Sequence, residues 1–157
     1  MSAIEITVAT DRQGEGLSGL MPAAMRDNAR ARGFAEVVAP VRPSGKPAEP
    51  DTSMHEYAYR TRAAGLPHDP WLRVHVRAGG VVHSVAPLSM TITGSLAQWR
   101  EWTGLPFHAA GPVRVPGALA PVHCEPEQGY AVYVEPNVWV RHRLVDGTAP
   151  RAAGPTG

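Results

Sequence analysis

The sequence predicts an α/β fold, a mixed sheet flanked by helices, and three observations carry that prediction. Residues 4–10 alternate β-branched apolar side chains with polar ones, the period of a half-buried strand. A polar, glycine-rich turn follows and opens into a helical pattern of about four turns. An apolar run then returns as a second strand. With 157 residues and 16.8 kDa, the chain suffices for one core and is short for two. We expect one domain over residues 1–145 and a disordered Gly/Pro-rich tail over 146–157.

Composition narrows the function classes. Apolar residues make up 43% and charged residues 18%, a globular balance, and the net charge of +1 shows no basic excess of the kind nucleic-acid binders carry. Lys46 is the sole lysine, a skew that high-GC coding explains as readily as anion recognition. Cys124 stands alone, so no intrachain disulfide can form. No apolar run approaches the roughly 20 residues that span a bilayer. Met1–Glu5 has neither a basic region nor a hydrophobic one. The expected setting is the cytoplasm, without a membrane or nucleic-acid partner.

In chain order, Ile4, Ile6 and Val8 share one face of the first strand. Ser18 to about Arg32 is the first helix, with Leu17, Leu20, Met21, Ala24, Met25 and Asn28 near one stripe. Ser18 reads as its N-cap, Pro22 as a first-turn residue and Gly33 as its stop. Phe34–Val41 reads as a strand burying Val37, Val38 and Val41. Pro40, Pro43, Pro47 and Pro50 crowd a segment without periodicity, expected to loop over the surface. Ser53–Ala64 reads as an amphipathic helix closed by Gly65. Asp69-Pro70 looks like a cap followed by a first helical residue, opening a helix to Gly79-Gly80; Leu72, Val74 and Val76 fit a strand equally well. Val81–Ala86 and Ser89–Thr93 are strand-like. Ser95–Thr103 is a short helix stopped by Gly104, and Pro112–His123 and Tyr130–Arg143 are strands joined by a turn at Glu125–Gly129.

The turn carries the functional reading. In Asp11-Arg12-Gln13-Gly14-Glu15-Gly16-Leu17-Ser18, consecutive backbone N–H groups face one concavity at a helix N-terminus, which suits a pyrophosphate. Gly14 and Gly16 let the backbone approach phosphate oxygens without a Cβ between. The string fits the pattern Q/R-x-x-G-x-G/A through Gln13, Gly16 and, in place of the last small residue, Ser18. Over residues 4–41 the strand, turn, helix and strand resemble the coenzyme A-binding core of the GNAT acyltransferases. Leu72–Gly80 resembles the family's L-x-x-Y-x-x-x-G-F helix, with His75 where the tyrosine stands. Further similarity to actinobacterial GNAT-like proteins runs through Pro40–Pro43, Asp69–His75, Trp99–Gly104, Val115–Leu119 and Val134–Val140.

The resemblance implies a mixed, mainly antiparallel sheet and acetyl-coenzyme A (or another acyl-coenzyme A) as co-substrate, with no metal. It implies cofactor contacts at Gln13, Gly14, Glu15, Gly16, Leu17 and Ser18, and backbone pairing of Val8, Ala9 and Thr10 with pantetheine. His75 becomes the candidate proton donor to the leaving thiolate; packing between elements is its other reading. The acceptor would be a primary amine of a small molecule. Three features depart from the pattern. Glu15 puts a carboxylate in the phosphate turn, His75 replaces a tyrosine, and only about three residues precede the first strand, where the family has several strands and two helices. The chain is then a fragment, a compact form, or completed by another chain, and an exposed sheet edge would favour a homodimer.

Other constellations carry less. His68, His75 and His83 lack any accompanying ligand motif for zinc. His123 and Cys124, adjacent on a strand, face opposite ways, so Cys124 reads as a buried thiol. Trp99 and Trp102 share a helix face, as core anchors or as an acceptor lining. Glu135, between apolar strand residues, reads as a solvent-facing or turn-capping acid, with a base or substrate contact as the alternative.

Overall fold

The computed structural model describes residues 1–2, 9–12 and 14–144. Four helices, α1 (Leu17–Ala31), α2 (Met54–Ala58), α3 (Pro70–Arg77) and α4 (Leu96–Thr103), accompany five strands. These are β1 (Glu36–Val41), β2 (Gly80–Ser95), β3 (Gly111–Val113), β4 (Val122–Glu125) and β5 (Tyr130–Arg143). All their pairings are antiparallel, and one isolated parallel bridge joins Ser2 to Val38. The α/β reading with a mainly antiparallel sheet therefore holds.

β5 organises the sheet. β2 runs along one whole edge of it, from Gly80 opposite His142 to Ser95 opposite Tyr130. The other edge is shared: β1 takes Val138–Arg143, and β4 takes Tyr130–Val132. Tyr133–Asn137 are left without a strand partner on that edge among the described residues. β2 bulges at the same level, where Ala86 and Met90 pair with Asn137 and Glu135. Burial on β5 passes there from odd residues (Ala131, Tyr133, Glu135, Asn137) to even ones (Val138, Val140, His142). Two apolar clusters follow. One gathers Leu72, Tyr57, Val37, Val138 and Val140. The other gathers Trp99, Phe107, Val122, Cys124 and Ala131.

Local chemistry explains most element ends. Asp69 caps α3 by accepting from the N–H groups of Trp71 and Leu72, with Pro70 at the first helical position. Ser95 and Gln98 form a reciprocal capping box on α4, and Gly104 ends it in the left-handed conformation. At the end of α1, Phe34 N–H reaches Ala29 O and Gly33 N–H reaches Arg30 O. Trp99 is buried and donates from Nε1 to Ala131 O, whereas Trp102 is half exposed. Cys124 is buried beside the exposed His123.

Several expectations are corrected. The strand expected over residues 4–10 lies outside the described residues through Val8, and its last residue, Thr10, opens a short 3-10 turn to Arg12. Gly16, not Ser18, is the N-cap of α1, and Pro22 is its sixth residue. The stripe of α1 that turns inward holds Pro22, Met25, Arg26 and Ala29, while Leu20 and Met21 face solvent. The helix pattern alone does not say which neighbouring stripe meets β1 and α3. β1 starts two residues late, with Val38 only half-buried.

The proline-rich segment packs inward rather than looping over the surface. Pro43 is buried, and the Lys46 ammonium donates to the carbonyls of Glu49, Leu119 and Pro50 at 2.6, 2.6 and 3.2 Å. The helix expected to Ala64 stops at Ala58, because the chain folds back as a bridge between Thr61 and Pro67. Val81–Ala86 and Ser89–Thr93 are one bulged strand. Pro112–His123 is two strands, β3 and β4, around a loop that buries Leu119. The expected tail lies outside the described residues.

Candidate functional site

The turn before α1 is built from backbone. Arg12 N–H donates to Ala9 O at 2.9 Å, closing the 3-10 turn. Gly14 and Gly16 then take φ of 90° and 77°, a region costly for any residue with a Cβ. Gly16 caps α1 and, as a glycine, offers no side-chain acceptor to the helix's first amides. Among the described residues, a Cβ at Gly14 or Gly16 would meet nothing within 4 Å, so they leave the outer side of the turn open. An uncapped N-terminus of a 15-residue helix, with donors and partial positive charge facing open space, fits a pyrophosphate.

Glu15 does not face that space as a lone carboxylate. Arg12 grips it with a two-pronged ion pair, Nε to Oε1 at 2.6 Å and Nη2 to Oε2 at 2.8 Å. The pair is exposed, and the neighbouring guanidinium offsets the repulsion a carboxylate would exert on phosphate.

His75 sits on α3, 3% exposed, with its Nδ1 3.1 Å from His142 Nε2 on β5 and its ring edge-on to Trp71. One nitrogen of the pair must donate and the other accept, so the contact suits two neutral rings. Burial, and then the neighbouring His142, push the His75 pKa down to about 4. Burial and Arg26 lower that of His142. Only Gly80 fits beneath the pair: a Cβ there would lie 2.7 Å from His142 Cε1 and 2.8 Å from His75 O. Arg26 of α1 donates to Ala78 O at the C-terminal end of α3, the described link between the helix that follows the turn and the helix that carries His75.

A second polar cluster fills the notch where β1 and β4 part beside β5. Glu135, 4% exposed, accepts on Oε2 from Arg42 Nε at 3.0 Å and from the Tyr133 hydroxyl at 2.8 Å. Tyr133 in turn accepts from Leu119 N–H at 2.9 Å, and Arg42 Nη2 donates to Gly117 O at 2.6 Å. Burial above all, aided by the bond to Glu135, pushes the Tyr133 pKa up to about 12. The hydroxyl therefore stays protonated and donates to the carboxylate at neutral pH.

The structure thus places Ala9, Thr10, Gly14, Glu15, Gly16, Leu17 and Ser18 along one turn and helix start. Val8 and Gln13 lie outside the described residues. No described contact brings His75 to that turn. Glu135 is buried rather than solvent-facing. Reading the sequence missed the partners: Arg12 for Glu15, His142 for His75, and Arg42 and Tyr133 for Glu135. Arg12 and Glu15 are three apart. Tyr133, Glu135 and Asn137 alternate on a strand, so a polar row on one face was open to view. Among the described residues no group of three His, Cys, Asp or Glu could hold a metal ion, and no helix is long and apolar enough to cross a membrane.

The arrangement of α1 and α3 with an antiparallel sheet centred on β5 is a GNAT-like fold. It resembles the crystal structure of the loading GNATL domain of CurA from Lyngbya majuscula with a TM-score of 0.56. That match has 17% identity and covers 91% of this chain and 54% of that one. In sequence the chain is 34% identical over 162 residues to the arginine N-acetyltransferase avaD of Aspergillus versicolor. This second match covers 92% of the chain and 56% of avaD. The chain thus spans about half the length of each relative. No family model matches it. The likeness in sequence to the one and in fold to the other supports assigning this chain to the GNAT superfamily.

Proposed function

We propose that this protein moves an acetyl, or another acyl, group from coenzyme A to a primary amine of a small molecule. The open N-terminus of α1 behind Gly16 carries the proposal. Backbone amides from Gly14 to Ser18 would hold the pyrophosphate, with Arg12 keeping Glu15 engaged. Gln13, Val8, Ala9 and Thr10 complete the proposed cofactor contacts. The amine nitrogen attacks the thioester carbonyl, the C–S bond breaks, the nitrogen loses a proton and the thiolate gains one. At a pKa near 4, roughly one His75 in a thousand carries an extra proton at neutral pH. Sealed against His142, it suits positioning α3 better than donating to the thiolate, which would then take its proton from solvent. Arginine, for which avaD is named, heads the acceptors to try.

A second reading is a non-catalytic GNAT-like module that binds acyl-coenzyme A or a partner, and the buried His75 favours it. A second copy, or another chain, would then complete the sheet. Release of free coenzyme A thiol from acetyl-coenzyme A, with and without a panel of amines, separates the readings. Amine-dependent release supports transfer; binding without release supports the module.

A further inference from the structure

β5 carries polar side chains at three alternate positions, Tyr133, Glu135 and Asn137, facing the interior where an aliphatic row would be ordinary. They are 6%, 4% and 8% exposed. Buried polar atoms ordinarily find partners, and one acceptor in this row, Asn137 Oδ1, does not. The Tyr133 hydroxyl is fully used, accepting from Leu119 and donating to Glu135. Both donors that reach Glu135 fall on Oε2, so no described hydrogen bond falls on Oε1. Asn137 donates from Nδ2 to Ser89 Oγ at 3.0 Å, while its buried Oδ1 has no partner. In the assigned orientation of that amide, the group left without a partner is an acceptor.

Residues two apart on a strand lie about 7 Å from each other on one face. Glu135, with its free Oε1, and Asn137, with its unmet Oδ1, are therefore neighbours on one face, at the stretch of β5 that pairs with β2 but has no strand partner on its other edge among the described residues. Arg42, whose side chain is 45% exposed, closes over Glu135. What the row lacks is N–H donors, and what Glu135 favours is positive charge.

We propose that Glu135 and Asn137 form a subsite for the cationic end of an amine, an ammonium or a guanidinium. Its N–H groups would meet Glu135 Oε1 and Asn137 Oδ1, while Tyr133 and Arg42 hold the carboxylate in place. Naming this ligand the acyl acceptor rests on the transfer reading above; the binding itself does not.

The test is calorimetric titration of the full chain with L-arginine and with putrescine, in the absence of acetyl-coenzyme A. The same proteins are titrated separately with acetyl-coenzyme A. Wild type should bind at least one probe. Glu135→Gln and Asn137→Ser should each weaken that binding about tenfold or more, with melting temperature kept and acetyl-coenzyme A affinity unchanged. Asn137→Ser, the milder change, stands alone if Glu135→Gln fails to fold. If wild type binds neither probe, or the folded variants bind as wild type does, the subsite is overturned. Probe binding without acetyl-coenzyme A binding would keep the subsite and overturn the transfer reading; the converse pattern would do the opposite.

Discussion

At the scale of single residues, burial decides more than residue type. His75 stood at a motif position that suggested acid catalysis, and its sequence neighbours gave no sign of His142, which is 67 residues away. The pairing has a consequence for pH. The pKa of His75 is about 4 in the folded state against an ordinary value of 6.5. The unfolded chain therefore binds the extra proton between those values, and stability falls as pH drops through that window. Urea unfolding should show full stability above about pH 6.5 and a progressive loss toward pH 4. His75→Leu should flatten that slope, even if it lowers stability at pH 7.5. A wild-type midpoint unchanged between pH 7.5 and 5 would contradict the buried pair. Glu135 was misjudged for a related reason: its strand was legible, but which face the core covers depends on the bulge that resets β5.

At the scale of elements, caps were the most legible signal, because their hydrogen bonds are local. Asp69-Pro70, Ser95 and Gly104 set helix ends where the sequence placed them. Asp69 also reaches beyond its helix, accepting from Gly45 N–H and the Tyr57 hydroxyl at 2.8 and 3.1 Å. Asp69→Ala would uncap α3 and strand two further donors, costing about 3 kcal/mol or more. Thermal unfolding should drop by roughly 6–12 °C. Tyr57→Phe removes one of these bonds and should cost only about 1 kcal/mol. A loss for Asp69→Ala no larger than for Tyr57→Phe would show that the tie between the proline-rich segment and α3 carries little. Tertiary contacts hid the rest. The Thr61–Pro67 bridge cuts α2 short, Leu119 pulls the chain between β3 and β4 into the core, and α1 turns a neighbouring stripe inward.

At the scale of the molecule, the composition, the single cysteine and the β-turn-α-β order led to an α/β fold, and the 14-residue β5 was legible to the residue. What no local pattern revealed is that β5 serves two partners on one edge and, among the described residues, leaves Tyr133–Asn137 open between them on that edge. Hydrogen exchange should register this. Of the amides of Tyr133, Val134 and Glu135, those that point away from β2 should exchange about tenfold or more faster than those that point toward it. Uniform protection along β5 would contradict the notch.

Acyl transfer by this chain requires the turn before α1 to be a coenzyme A site. Calorimetric titration of the full chain with acetyl-coenzyme A, beside a Gly16→Trp variant whose new ring would crowd the open side of the turn, tests it most directly. Micromolar binding by wild type, lost in a variant that keeps its circular dichroism spectrum, is the expected result. A folded wild type that binds no acetyl-coenzyme A, or a folded variant that binds as well as wild type, would contradict it.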